Sequence, residues 1–314
     1  MIHWKNAKIL WLLLSALSIA APSAWALPVV DCPALYAQHQ PTFVHSESKV
    51  VWDLLHREIP QASLAALKPR WSKLEKLKQR YDWNELVRLE PTDPAYPKWQ
   101  KALAEIRQKQ SSASTTLSGT SKIETKTAIQ SAPENFKQVT TQIDEWVRQG
   151  EEVTLEKALE LNALFGQGQL FHGMKPGNLR KINLVSDTEG WVGYMPARDI
   201  EFATKDSFDQ LKNYQGSGSP VPVAAALYQK LVSIHPFGDA NGRTTRAAME
   251  WFLQKHGFAP PIFVGENKPY LALFASRKQN YPAGYAEEKV TKGLEDTYAI
   301  LEKHLGPIYG RKKP

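Results

Sequence analysis

Apolar residues recur every three to four positions over much of the chain, which is the period of a helix buried along one face. Over residues 34 to 110 the spacing of Leu74, Leu77 and Tyr81, with Trp52, Trp71, Trp83 and Trp99 among charged residues and a break at Pro91 to Pro97, predicts a small helical region. From about residue 137 the same period returns at Val139, Ile143, Trp146 and Val147, then at Leu155, Leu159, Leu161 and Leu164, and stops at Gly166 and Gly168. A different period follows. Leu179 to Val185, the turn cluster Ser186 to Gly190, and Trp191 to Tyr194 read as a β-hairpin closed by Pro196. Helical patterning resumes with Ala224, Leu227, Tyr228 and Leu231 on one face, is interrupted over Ser233 to Asp239, and runs again from about Asn241 to His256, where Gly257, Pro260 and Pro261 end it. A last helix is expected from about Ala286 to His304. The fold class is therefore mainly α with one β-hairpin.

Two segments depart from this pattern. Near the N-terminus Lys5 and Lys8 precede the apolar run Ile9 to Ala21, followed by Pro22 and Ala24-Trp25-Ala26. A charged flank, a short apolar stretch and a small-residue end are the marks of a secretory signal peptide, and the run is too short to span a bilayer. Cleavage is expected after Ala26, giving an exported protein, periplasmic or secreted, with no stable membrane insertion afterwards. The second departure is compositional. Residues 108–133 shift to Ser, Thr, Gln and Lys, so a linker-like polar segment is placed at 108–136. It divides a helical N-terminal region at 27–107 from the main domain at 137–305.

Composition narrows the functional classes. The 314 residues, 42% apolar, suffice for one full-sized core and leave room for a smaller second one. The single cysteine, Cys32, allows no internal disulfide, so this is not a disulfide-stapled fold. Without Lys5 and Lys8 the charge is about +5, and the basic residues are scattered, so nucleic acid is not the expected partner.

The chemistry concentrates at residues 235–246, His-Pro-Phe-Gly-Asp-Ala-Asn-Gly-Arg-Thr-Thr-Arg, between two helical stretches. A helix starting after Asp239 would aim free N–H groups and its positive end at an anion. Arg243 and Arg246, three apart, project from neighbouring positions of one face and can grip successive phosphates. Asp239 offers an oxygen ligand for Mg²⁺, which usually reaches proteins through one or two carboxylates plus phosphate oxygens. His235 can take the proton of an attacking hydroxyl. Together these parts suit nucleotidyl or phosphoryl transfer, in which positioning and charge neutralisation supply most of the catalysis.

The same twelve residues resemble the signature of the Fic (Fic/DOC) family, H-P-F-x-(D/E)-(G/A)-N-G-R-x-x-R, at every position, with Ala240 the less common of two accepted residues. Gly177-Asn178-Leu179-Arg180 is similar to the family's G-x-x-R lead into a hairpin flap. The likeness spans about 137 to 260 and extends over the helices to 304. It implies a protein adenylyltransferase that consumes ATP with Mg²⁺ and modifies a Ser, Thr or Tyr hydroxyl of a target protein. His235 would be the base, Asp239 the metal ligand, Pro236 and Phe237 structural residues, and Phe237 the loop's anchor in the core. Asn241, Gly242 and Arg243 would bind the α- and β-phosphates and Arg246 the γ-phosphate. A flap carrying Leu184, Trp191 and Tyr194 would align the target by strand addition. Relatives that use UMP or phosphocholine, or that remove AMP, leave the donor open, and a silent partner-binding module is the reading from another class. A homodimer is left open as well.

Thr120-Ser121-Lys122-Ile123-Glu124-Thr125 resembles the family's inhibitory element, (S/T)-x-x-x-E-(G/N), with Thr125 in place of the usual Gly or Asn. The resemblance implies that Glu124 pairs with Arg246 in the place of the γ-phosphate. Thr291 to Asp296 fits the loose pattern equally well, which makes Glu295 a second candidate. His172, His256 and His304 are isolated and are expected to be surface or core residues rather than ligands.

Overall fold

The computed structural model describes residues 64–117, 126–167, 174–186, 192–216, 218–263 and 284–309. In chain order the elements are α1 (Lys68–Arg80), α2 (Trp83–Leu86), α3 (Tyr96–Leu117), α4 (Lys126–Gln149), α5 (Leu155–Phe165), β1 (Val185–Ser186), β2 (Val192–Gly193), a 3₁₀ turn (Ala197–Asp199), α6 (Ile200–Lys212), α7 (Val221–Ile234), α8 (Asn241–Lys255) and α9 (Tyr285–Tyr309). The expected signal segment at 1–26, Cys32, Trp52, Glu124, His172 and Trp191 lie outside the described residues.

The fold is built around α8. Most helices of a globular protein bury one stripe, but every residue of α8 from Arg243 to Gln254 is buried, the mark of a helix at the centre of the core. Helix α7 packs along it, α5 and α4 cover other faces, and α9 closes against α7, α3 and α1. Polar groups on such a helix must find partners inside the protein, and α8 carries Arg243, Thr244, Thr245, Arg246, Glu250 and Gln254 there.

Several sequence expectations change. Within the linker-like segment 108–136 the described residues are helical, since α3 continues to Leu117 and α4 already begins at Lys126. Gln and Ala are adequate helix formers, and Gln110, the side chain that decides the matter, is buried and bonded. Nor do the N-terminal tryptophans fill a core of their own. Trp71, Trp83 and Trp99 belong to the same apolar cluster as Trp251 and Leu301. Trp83 and Trp99 meet edge to face at 5.1 Å, and Trp71 Nε1 donates to Thr291 Oγ1 of α9. Helix α6 was not anticipated. Of the expected hairpin, the described residues show Val185 paired with Gly193 and Ser186 with Val192, antiparallel, with the turn between them outside the described residues, while Leu179 bridges to Phe237 in the loop before α8. Among the described residues no helix is long and apolar enough to cross a membrane.

Candidate active site

The loop from His235 to Ala240 hangs between α7 and α8, and each end is a non-glycine residue in the left-handed region. His235, at φ 54°, stops α7 with its N–H still bonded to Leu231, and Pro236 cannot continue the helix. Ala240, at φ 58°, precedes the first turn of α8 and offers no side-chain cap, which leaves that turn's N–H groups to face an anion. Such backbone persists only where surrounding contacts over-determine it, and here they do. Asn241 closes the loop on itself: its Oδ1 accepts from the Phe237 N–H and its Nδ2 donates to the Phe237 carbonyl, both at 2.8 Å. Both ends of the carboxamide thereby hold the loop. Phe237 is buried, as the anchoring role requires.

Arg180 secures the loop from the other side. It is only 2% exposed, and its Nε donates to the His235 carbonyl at 2.6 Å and its Nη2 to Ile234 at 3.1 Å. Further bonds reach the carbonyls of Ile182 and Met195, and the Arg180 N–H donates to Pro236. One guanidinium thus ties the segments flanking the β1–β2 pair to the end of α7. At the opposite edge Asn162 of α5 donates to the Asp239 carbonyl at 3.0 Å and to Thr244 Oγ1 at 3.1 Å, while accepting from the Gly177 N–H at 2.8 Å. Gly177, at φ 82°, packs so closely on α5 that a Cβ would fall 2.9 Å from the Ala163 methyl. The segment leading to β1, the loop and the motif helix therefore share Asn162 as a common tether.

Of the charged groups on the loop and the start of α8, Asp239 faces outward from this frame. One Asp239 oxygen, Oδ1, accepts from the Ala240 N–H, and the other lies 3.9 Å from Arg243 Nη2, with the side chain 41% exposed. A half-engaged, solvent-facing carboxylate beside a helix N-terminus fits Mg²⁺ held by one protein oxygen and completed by phosphate oxygens. Among the described residues no cluster of three His, Cys, Asp or Glu could hold a metal alone. Arg243 and Arg246 are both buried and line a recess of about 380 Å³, partly open solvent, with Gln110, Phe136, Thr140 and Glu250. The Arg246 guanidinium folds back beneath Gly242, where a Cβ would stand 3.3 Å from Nη1. His235 is stacked on Tyr194. Burial pushes its imidazole down to about 3, the Arg180 charge adds to this, and a hydrogen bond to the Val232 backbone opposes it. At neutral pH the ring is an uncharged base.

Glu250, one turn beyond Arg246, is buried and accepts from Gln110 Nε2 at 3.1 Å. Burial pushes its carboxyl up to about 7 against the pull of Arg107 and Arg246. Gln110 Oε1 in turn accepts from Arg107 at 3.0 Å, and Arg107 forks onto Asp144 of α4. Glu295 is elsewhere. It forks with Arg70 at 2.8 Å to each oxygen, which joins α9 to α1. His304 pairs with Glu105, and His256 lies edge-on to Phe252 and Tyr214, so both are structural. Asn162, Glu250 and the hub role of Arg180 were not visible in the sequence.

Residues 163–253 match the profile of the Fic/DOC family, and the chain contains a Fic domain. The uridine 5′-monophosphate transferase of Xanthomonas campestris pv. campestris is 31% identical over 213 residues, 65% of this chain and 38% of that protein. The protein adenylyltransferase Fic of Drosophila virilis is 46% identical over 115 residues, 35% of this chain and 22% of that protein. The chain thus spans well under half the length of these relatives. Fic-1 (residues 134–508) of C. elegans shares the fold, with a TM-score of 0.52 at 16% identity over 79% of this chain and 74% of that one.

Proposed function

We propose that the chain is a nucleotidyltransferase that moves AMP from ATP to a Ser, Thr or Tyr hydroxyl of a target protein. The observation that carries this reading is the loop itself: an uncharged imidazole at one end, a solvent-facing carboxylate at Asp239, and an uncapped helix start with two buried arginines at the other end. His235 takes the proton of the target hydroxyl as its oxygen attacks the α-phosphorus. The bond to the β-phosphate breaks, and pyrophosphate leaves with its charge held by the N–H groups of α8 and by Arg243 and Arg246. Asp239 would hold Mg²⁺, which when bound neutralises phosphate charge. The strand pair β1–β2, with Leu184, Trp191 and Tyr194, would align the target segment by strand addition.

UMP transfer from UTP is the second reading. The match to the uridine 5′-monophosphate transferase covers more of this chain than the match to the Drosophila virilis enzyme does, and the phosphate-binding end described above does not discriminate between bases. Incubating the protein with α-³²P-labelled ATP and, separately, UTP decides between them. Label transferred from ATP and lost in His235→Ala supports the first reading, label from UTP alone supports the second, and no transfer from either refutes both.

The reading extends to control by Glu124. Gln110 and Ala113 of α3 and Phe136 and Thr140 of α4 line the Arg246 recess, and Glu124 belongs to the stretch between those two helices. A carboxylate offers guanidinium the same fork that a phosphate does, so Glu124 competes with the γ-phosphate for Arg246. Glu295 has no such role, since its fork is already formed with Arg70.

A further inference from the structure

The catalytic loop is held by its backbone, but the ring of His235 needs its own support. An imidazole that rotates about its last torsion presents the wrong nitrogen, or none, to an incoming hydroxyl. Three neighbours surround this ring. The phenol ring of Tyr194 stacks on it with centroids 3.9 Å apart and planes 23° apart. The Val232 backbone hydrogen-bonds it from α7, and the Arg180 charge lies beside it. The Val232 bond occupies one ring nitrogen and leaves the other to accept a proton. Stacking fixes the plane in which that nitrogen points.

Tyr194 is well placed for this. It is 7% exposed, its N–H donates to the Leu184 carbonyl at 3.1 Å across the strand pair, and the next carbonyl, that of Met195, is held by Arg180. Arg180 also holds the His235 carbonyl. Ring and backbone of the base are therefore both fastened to the segment that pairs as β1 and β2.

We infer that Tyr194 is the positioning residue of His235: its ring fixes the plane of the imidazole and keeps water from its face, so that the base is oriented by the same segment that would receive the target chain. This rests on the base role of His235 proposed above. It makes target docking and base alignment one event, because a strand added to this segment bears on the residue that sets the ring.

The test uses Tyr194→Phe, which keeps an aromatic face, Tyr194→Leu, which keeps bulk without one, and Tyr194→Ala, which opens the face to water. Two readouts are taken on folded protein. The first is the titration of the His235 imidazole by NMR without nucleotide. The second is the transfer rate against pH, with nucleotide affinity measured in parallel. In the wild type and Tyr194→Phe the ring stays neutral down to acid pH. In Tyr194→Ala water solvates the cation, so the midpoint climbs by at least one pH unit toward the ordinary histidine value. The base form is then lost as pH falls through that new midpoint, and the acid limb of the rate profile moves up with it. At neutral pH, turnover falls at least tenfold in Tyr194→Ala and severalfold in Tyr194→Leu, with nucleotide affinity unchanged. A midpoint unmoved in Tyr194→Ala, or turnover within twofold of wild type in both Tyr194→Ala and Tyr194→Leu, overturns the inference. The NMR arm stands without turnover, so a protein that transfers nothing but shows the shifted midpoint sinks the proposed reaction and leaves the stack's role intact.

Discussion

The amide of Gln110 donates to the buried carboxylate of Glu250 at 3.1 Å, and so binds a helix that composition assigns to a linker to the turn of α8 just past Arg246. Through Arg107 the contact continues to Asp144 on α4. The N-terminal helices are thus wired into the Arg246 end of the site.

Glu250 makes stability depend on pH. Its carboxyl is raised from 4.5 to about 7 by burial, so the folded chain holds a proton that the unfolded chain releases. The stabilisation from this group is full below about 4.5 and is lost as pH rises through about 7, an effect on the order of 3 kcal/mol for a shift of this size. Glu250→Gln keeps the acceptor and the shape but cannot ionise. Urea unfolding at pH 5 and pH 8 should show the variant gaining on the wild type at the higher pH. An equal difference at both values would mean that Glu250 is ionised throughout.

Asn162 holds Asp239 by its carbonyl, so its removal should alter the Mg²⁺ dependence if Asp239 is the ligand proposed above. Asn162→Ala leaves the Gly177 N–H and the Asp239 carbonyl without their partner and should lower stability by about 1–3 kcal/mol. The Mg²⁺ concentration for half-maximal transfer should rise severalfold, and so should the Mg²⁺ needed for the nucleotide-induced rise in Tm. Lost stability with an unchanged Mg²⁺ titration in both assays would make Asn162 a structural residue only.

The two candidate inhibitory glutamates separate cleanly. If Glu124 competes with the γ-phosphate, Glu124→Gly should raise transfer by about tenfold or more, equivalent to about 1.4 kcal/mol, at little cost in stability. Glu295→Gly should leave the rate alone and loosen α9 from α1, because its partner is Arg70. Self-modification assays and melting curves on both variants give the answer. A rate increase in Glu295→Gly alone would reverse the assignment.

The loop was legible in the sequence because its groups are consecutive: base, carboxylate and arginines fall within twelve residues, and each type declares its chemistry. What supports the loop was not. Asn162 meets Asp239 from 77 residues away, Arg180 meets His235 from 55, and Gln110 meets Glu250 from 140. No local period encodes such pairs. Helical spacing revealed α5, α7, α8 and α9, since one apolar face suffices to reveal a helix, although α9 runs on to Tyr309, past the expected end at His304. It failed at 108–136, where the few buried polar side chains that anchor the helices look, by composition, like solvated ones.

Both ends of the loop stand in a backbone hand that costs an L-residue about 1–2 kcal/mol. Local preference therefore works against the turn from His235 to Ala240, and the contacts of Arg180, Asn162 and Asn241 offset it. The geometry on which the proposed transfer depends is thus a property of the finished fold and not of the twelve residues alone.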